Sequence, residues 1–315
     1  MDRKPLSVVI LNYGTPDLAI ASARSVLPEV AALGGGLVIV DNASPDASAE
    51  RLTAWRETLP AGAPVKLVLS PVNGGFAAGN NLGIAASEAE FYFLLNSDTL
   101  AEPGALAALL AAMRADPKLG LAGPVILDEK GARAVSRFRR RTPLSEFVEA
   151  TGLDFFYRRL RGHVVPIAEE EPCPPDWISF AAVMLRKETI DAVGRLDERY
   201  FMYFEDSAYS LKAAEAGWTM RRVENAVIRH FEAKSSGVED DAAAHKRLPR
   251  YYYASRARYF IDHYGQGGLI AANLFWYLGR AVNYARVLAL KPPKQAPAGR
   301  ALDIWTRPDA ARAAR

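Results

Sequence analysis

Four short polar clusters each close or follow an apolar run: Asn12-Tyr13, Asp41-Asn42, Asn73-Gly74-Gly75 and Asn96-Ser97-Asp98. A fifth, Glu205-Asp206, ends the aromatic approach Phe201-Met202-Tyr203-Phe204. Asp98 offers the hard oxygen that Mg2+ or Mn2+ takes, since such ions are held by one or two carboxylates together with phosphate oxygens. Asn73-Gly74-Gly75-Phe76 leads into Ala77-Ala78-Gly79-Asn80-Asn81 and so places small residues at a turn into a helix. Backbone amides there can approach a phosphate or sugar, or the glycines only make the turn; the G-x-G-x-x-G spacing of dinucleotide sites is absent. Asp41 can accept a hydrogen bond from a base imide or cap the next helix. Carboxylates beside aromatic walls bind protons more tightly, which suits Glu205 or Asp206 to acid–base work, although the pair can also cap a helix starting near Ser207.

The elements that must position these residues alternate. Ser7 to Leu11, Leu37 to Val40, Val65 to Leu69, Phe91 to Leu95 and Leu121 to Leu127 read as strands. Asp17 to Leu27, Asp46 to Leu59, Phe76 to Ala86 and Pro103 to Ala115 read as helices, with Asp46 as an N-cap and Pro103 in a first turn. Such alternation predicts an α/β fold with a mostly parallel sheet, because each parallel connection needs a crossover. Ligands then bind beyond the carboxyl ends of the strands, where the four clusters fall. Later in the chain, Trp177 to Leu185 and Met220 to Arg229 read as strands, and Lys187 to Val193 and Ser207 to Ala216 as helices.

Composition narrows the class. The 315 residues are 50% hydrophobic and 24% charged with a net charge of +3, which fits a soluble globular chain and demands no nucleic-acid partner. The single cysteine, Cys173, excludes an internal disulfide and a cysteine metal cluster. The apolar run Leu6 to Leu11 is shorter than a signal-peptide core, so a cytoplasmic location is expected. Residues 133–161 hold eight arginines against Glu146, Glu149 and Asp154, a local net of +5 that reads as a solvated basic loop or a contact for phosphate or anionic lipid. Ile270, Leu274, Leu278, Ala281, Ala285 and Leu288 form one stripe of a helix, with Gln266, Asn273, Arg280 and Asn283 elsewhere on the wheel. That stripe either rests on the inner face of the cell membrane or packs against the rest of the protein. Residues 291–315 carry four prolines and little periodic apolarity, and read as a loose tail.

The chain resembles the bacterial family 2 glycosyltransferases of the rhamnosyltransferase-like group, which have a GT-A fold. The resemblance rests on Ser7-Val8-Val9-Ile10-Leu11-Asn12-Tyr13, Val38-Ile39-Val40-Asp41-Asn42-Ala43-Ser44, Asn73 to Asn81, Leu94-Leu95-Asn96-Ser97-Asp98, Val193-Gly194-Arg195-Leu196-Asp197-Glu198 and Phe201 to Asp206. It implies a Rossmann-like central sheet flanked by helices, with residues 1–127 as the nucleotide-sugar half and 128–265 as the acceptor half. Residues 266–290 would be an amphipathic helical extension and 291–315 a tail. It also implies a nucleotide-diphosphate sugar donor held by Asn12, Tyr13, Asp41, Asn42, Asn73, Gly74, Gly75, Phe76, Asn80, Asn96 and Ser97. Asp98, at the second acidic position of the family's D-x-D motif, and His230 would hold Mg2+ or Mn2+. Asp206 would be the base with Glu205 beside it, and Trp177, Ser179 and Phe180 would face a glycan or lipid-linked acceptor.

Three positions depart from the family pattern: Asn96 for the first D-x-D carboxylate, Ala208 where a further acidic residue is usual, and Phe180 in place of a glycine. The implied activity is inverting transfer of a sugar, rhamnose among the candidates, in cell-surface polysaccharide assembly. Two rivals remain: a sugar-phosphate nucleotidyltransferase, which would release pyrophosphate, and a degenerate nucleotide-sugar-binding module at a membrane, which would bind without turnover.

Overall fold

The computed structural model describes residues 3–231, 244–286 and 292–310. Contacts divide the chain into two units: Met1–Arg137 with Pro172–Glu198 and Glu205–Ser235, and Phe138–Glu171 with Arg199–Phe204 and Ser236–Arg315. The strands are β1 (Lys4–Asn12), β2 (Gly36–Asp41), β3 (Val65–Leu69), β4 (Ala89–Asn96), β5 (Thr99–Ala101), β6 (Leu119–Leu127), β7 (Arg137–Phe138), β8 (Trp177–Ile178), β9 (Ala182–Arg186) and β10 (Thr219–His230). The helices are α1 (Pro16–Ala32), α2 (Ser48–Glu57), α3 (Gly75–Ala85), α4 (Ala105–Ala115), α5 (Pro143–Thr151), α6 (Asp154–Arg159), α7 (Lys187–Val193), α8 (Glu205–Glu215), α9 (Arg250–Tyr284) and α10 (Arg300–Asp303).

The first unit is built on an eight-stranded sheet in the order β3-β2-β1-β4-β9-β6-β10-β5. Alternation along β4 shows how its two faces are filled. Phe91, Phe93 and Leu95 join the core under α1 and α4, while Tyr92 and Leu94 join the core that includes Ile84, Ile190 and Tyr209 of α3, α7 and α8. Contact between α3 and β1 is close: a Cβ at Gly79 would lie 2.3 Å from Leu11 Cδ1, and one at Gly83 2.2 Å from Val9 Cγ1. The pairs β1–β2, β2–β3, β1–β4 and β6–β10 are parallel; β9 runs antiparallel to both β4 and β6, and β5 antiparallel to β10.

The expected run Trp177 to Leu185 is two strands, broken at residues 179–181. α2 starts at Ser48, and Asp46 serves it from two residues upstream by accepting the Ser48 amide at 3.1 Å.

In the second unit, α9 is two helical stretches meeting at Gly265, whose φ of 68° is left-handed and free of Cβ strain. Its packed face carries Ala272, Asn273, Trp276, Gly279 and Asn283. The sequence stripe is the opposite face: Ile270, Leu274 and Leu278 are 47%, 58% and 52% exposed, so these three residues do not pack against the rest of the second unit. Leu288 lies outside the described residues. Among the described residues no helix is long and apolar enough to cross a membrane.

Part of the arginine-rich segment is built into ion pairs, while Arg133, Arg158, Arg159 and Arg161 are exposed. Arg141 pairs with Glu146 and Glu149, Arg139 with Glu171, and Arg256, fully buried, donates to Glu146 Oε2 at 3.0 Å and to Asn273 Oδ1 at 2.8 Å. Burial would push the Glu146 carboxyl up, but Arg256, then Arg141, hold it below the usual carboxylate range.

Residues 292–310, read from composition as loose, are tied into this network. Arg300 reaches Glu149 at 3.0 Å, and Ile304, fully buried, accepts a hydrogen bond from Asn273 Nδ2 through its carbonyl.

A Cβ at Gly279 would lie 2.6 Å from Phe147 O and 2.7 Å from Ala150 Cβ, so α5 and α9 approach as closely as backbone allows. Gly279→Val is expected to destabilise the fold by about 1–3 kcal/mol, the usual cost of overpacking, and to lower the urea midpoint. An unchanged midpoint would contradict this approach.

Candidate active site

Strand register brings the polar clusters to one edge. Asn12 pairs with Asp41 across β1 and β2, and Leu11 with Asn96 across β1 and β4. From there a chain of hydrogen bonds runs along the strand ends. Asn12 Nδ2 donates to Asp41 Oδ1 at 2.8 Å, Thr15 Oγ1 donates to Asn12 Oδ1 at 3.3 Å, and the Thr15 and Ser97 hydroxyls lie 3.1 Å apart. Ser44 closes it, with its hydroxyl on Asp41 Oδ1 at 2.6 Å and its amide on Oδ2 at 3.2 Å. Asp41 is therefore the organiser of the turn after β2, with acceptor capacity remaining on Oδ2. Thr15, and Ser44 at the end of the Val38–Ser44 stretch, are partners to which the sequence assigns no role, although both lie within three residues of a polar strand end.

The turn into α3 has the same logic. Asn42 Nδ2 donates to Asn73 Oδ1 at 2.9 Å and to Gly75 O at 3.1 Å, and Asn42 Oδ1 accepts the Gly74 amide at 3.2 Å. Asn73 Oδ1 also takes the Gly75 amide at 2.9 Å. These side chains shape the turn and hold its backbone in place. Asn80 is spent within its own helix, donating to Phe76 O at 3.0 Å, and is buried. Its neighbour Asn81, not singled out from sequence, anchors the loop before the acidic pair by bonding Leu196 O at 2.8 Å and Glu198 Oε1 at 2.9 Å. Tyr13 is 44% exposed and stands free to stack.

Asp98 is buried, and its Oδ1 lies 3.2 Å from His230 Nε2. Two backbone contacts fix this meeting: Thr99 pairs with His230 across β5 and β10, and the Phe231 amide donates to Asp98 O at 2.9 Å. Among the described residues no three His, Cys, Asp or Glu side chains gather in one place. One carboxylate and one imidazole are a partial donor set, which fits a divalent cation that takes its remaining ligands from a diphosphate.

The acidic pair opens α8 after two left-handed residues, Tyr203 (φ 68°) and Phe204 (φ 69°). Such a conformation costs bulky residues of order 1–3 kcal/mol each and persists only where the surroundings enforce it. Glu205 is buried, its Oε2 has no hydrogen-bond partner, and burial, then the neighbouring Asp206, pushes its carboxyl well above the usual range. Burial also raises Asp206, to about 6, but amides restrain that rise: the Ser207 amide donates at 2.7 Å and the Phe180 amide also contributes. Burial thus biases Glu205 toward its protonated form, while the Ser207 and Phe180 amides support the charged form of Asp206.

Phe180 does not line an open pocket. Its ring is buried at 5.9 Å, edge on, from Tyr209, and what it offers the site is its amide. The break at 179–181 aims that amide: Ser179 N donates to Ser136 O at 3.1 Å, and Ser179 Oγ accepts the Ala181 amide at 3.2 Å. Ala181 O in turn accepts the Asn96 amide at 2.9 Å, linking the Asp206 support to the Asn96–Asp98 turn. Trp177 is half-buried in β8.

This ordered set has counterparts. A glycosyl transferase family 2 profile matches residues 7–168, over half of the chain, and a glycosyl transferase family group 2 profile matches residues 93–290. The chain belongs to glycosyltransferase family 2. Over 207 residues this family 2 enzyme is 28% identical to the N-acetylglucosaminyl-diphospho-decaprenol L-rhamnosyltransferase of Mycobacterium tuberculosis, covering 61% of this chain and 67% of that one. A mannosyltransferase from Pyrobaculum calidifontis, solved with GDP-Man and Mn2+, superposes with a TM-score of 0.58 at 17% identity over 93% of this chain and 78% of its own. GalNAc-T7, solved with UDP, GalNAc and Mn2+, gives 0.55 at 17% identity over 72% and 43%. These likenesses establish the GT-A fold of this glycosyltransferase.

Proposed function

We propose that this glycosyltransferase inverts the anomeric centre as it moves a sugar from a nucleotide-diphosphate donor to a hydroxyl of a glycan or lipid-linked acceptor. The observation that carries the reading is the Glu205-Asp206 carboxyl pair at the start of α8, with the amide supporting Asp206 joined through Ala181 to the Asn96–Asp98 turn. Asp206 takes the proton of the acceptor hydroxyl as that oxygen bonds to the anomeric carbon. The bond from that carbon to the phosphate oxygen breaks on the opposite face, and its electron pair leaves with the nucleoside diphosphate. Asp98 and His230 would hold Mg2+ or Mn2+, which when bound neutralises the charge growing on the diphosphate. Tyr13 and the backbone around Asp41 and Gly74 would hold the nucleotide.

The M. tuberculosis relative, by its name, moves L-rhamnose to a decaprenol-linked diphosphosugar, so L-rhamnose and a polyprenol-linked acceptor of cell-surface polysaccharide assembly are the first pair to try. Incubating the protein with nucleotide-diphosphate sugars, Mn2+ and N-acetylglucosaminyl-diphospho-polyprenol should give nucleoside diphosphate and a glycosylated lipid of inverted configuration. Pyrophosphate as product, or donor binding with no turnover across the donor set, would overturn the reading.

A further inference from the structure

We propose that the outer face of α9 beyond Gly265, with Trp305 beside it, docks this protein on the interface of an anionic lipid bilayer. The packed face of this helix is already complete, with Asn273, Trp276, Gly279 and Asn283 inside the second unit. The other face presents Ile270, Leu274, Tyr277, Leu278 and Tyr284, all at least 36% exposed and spaced on successive turns. Scattered exposed apolar residues are ordinary, but a continuous row is not.

The polypeptide after the helix extends the row. Tyr277 Oη bonds Ala301 O, and the Trp305 indole N–H donates to Tyr277 Oη at 3.2 Å, which sets a 48% exposed indole alongside the helix. Rings with an apolar body and a polar tip favour the boundary between headgroups and acyl chains.

Charge selects the occupant. From residue 263 to residue 302 the sequence has no Asp or Glu; Arg300 is held by Glu146 and Glu149 and Lys291 lies outside the described residues, which leaves Arg280, Arg286 and Lys294 as the cations of this stretch. Arg280 lies over the Tyr284 ring at 5.1 Å. Arg286 and Lys294 line an open cleft of about 490 Å³ that also touches exposed Ala285, with Asp154 on its wall. A second copy on this face would set like charges together, whereas anionic headgroups complement them. An apolar row flanked by cations, on a helix too polar to span, lies in the interface plane.

The test is co-sedimentation of the full chain with vesicles of phosphatidylglycerol and phosphatidylethanolamine, beside vesicles of phosphatidylcholine alone. The parent should bind the anionic vesicles, release at high salt and leave the neutral ones. Leu274→Glu with Leu278→Glu should bind at least about tenfold more weakly, with an unchanged circular dichroism spectrum. Arg286→Glu with Lys294→Glu should lose binding at low salt in particular, about fivefold for each cation removed. Equal binding by the Leu274/Leu278 variant, or a parent that binds no vesicle, overturns the proposal. So does a parent that dimerises in sedimentation velocity through this face while ignoring lipid. No nucleotide sugar is needed for these measurements, so this proposal and the transfer reading fail separately.

Discussion

Asp206→Asn is expected to lower the rate of sugar transfer about 10² to 10⁴-fold, some 3–5 kcal/mol of barrier, while donor affinity stays close to that of the parent. The amide keeps the shape of the side chain and can still meet the Ser207 and Phe180 amides through its oxygen, but it cannot take a proton. The parent's pH profile carries the same signature. With Asp206 near 6, kcat/KM should fall about tenfold per pH unit below that value as the base is protonated. The variant should lose that limb.

Glu205→Gln should behave differently, because burial, then Asp206, pushes the Glu205 carboxyl toward the protonated form that glutamine imitates. A carboxyl raised in the folded state favours folding below its unfolded pKa, and that advantage is lost as pH rises. Glu205→Gln should therefore keep transfer within about tenfold of the parent and hold or raise Tm at neutral pH. If Glu205→Gln is the inactive enzyme and Asp206→Asn the active one, the two roles must be exchanged.

Asp98→Ala should abolish cation-dependent donor binding. Altering a residue that merely supports a ligand typically costs 10–100-fold in metal affinity, so removing the carboxylate itself should cost at least about 100-fold. The neighbouring positions Asn96 and Ser97 provide no second carboxylate. His230→Gln, which leaves Asp98 in place, should weaken binding less. Titrating donor with Mn2+ and again with a chelator, followed by calorimetry, separates the cases. Chelator-insensitive donor binding by the parent, or an Asp98→Ala protein that binds like it, would remove Asp98 and His230 from the cation site.

The strand ends were legible because their chemistry is local. Asn12, Asp41 and Asn96 each close a run of β-branched or aliphatic residues, and the structure puts them in register as parallel pairing requires. α5 is legible too: Thr142 followed by Pro143 is an N-cap and first-turn pair, and Thr142 and Ser145 form a capping box. The order along 292–310 was hidden because it depends on Arg300 finding Glu146 and Glu149 about 150 residues earlier, which no window of sequence displays. Phe180 was read by its ring, whereas its contribution is the direction of its amide, fixed by Ser136 and Ala181. Nothing local marks β9 as running against its neighbours.

The position of β9 has a consequence for the chain as it is made. β9 is the shared neighbour of β4 and β6, so residues 182–186 join two strands that leave the ribosome much earlier. Until then β4 presents a bare hydrogen-bonding edge of aromatic and aliphatic residues, and β6 has neither β9 nor β10 beside it. Such edges recruit other strands, including those of other nascent chains. The growing polypeptide thus passes through a long interval in which the edges of β4 and β6 are synthesised but not closed by β9.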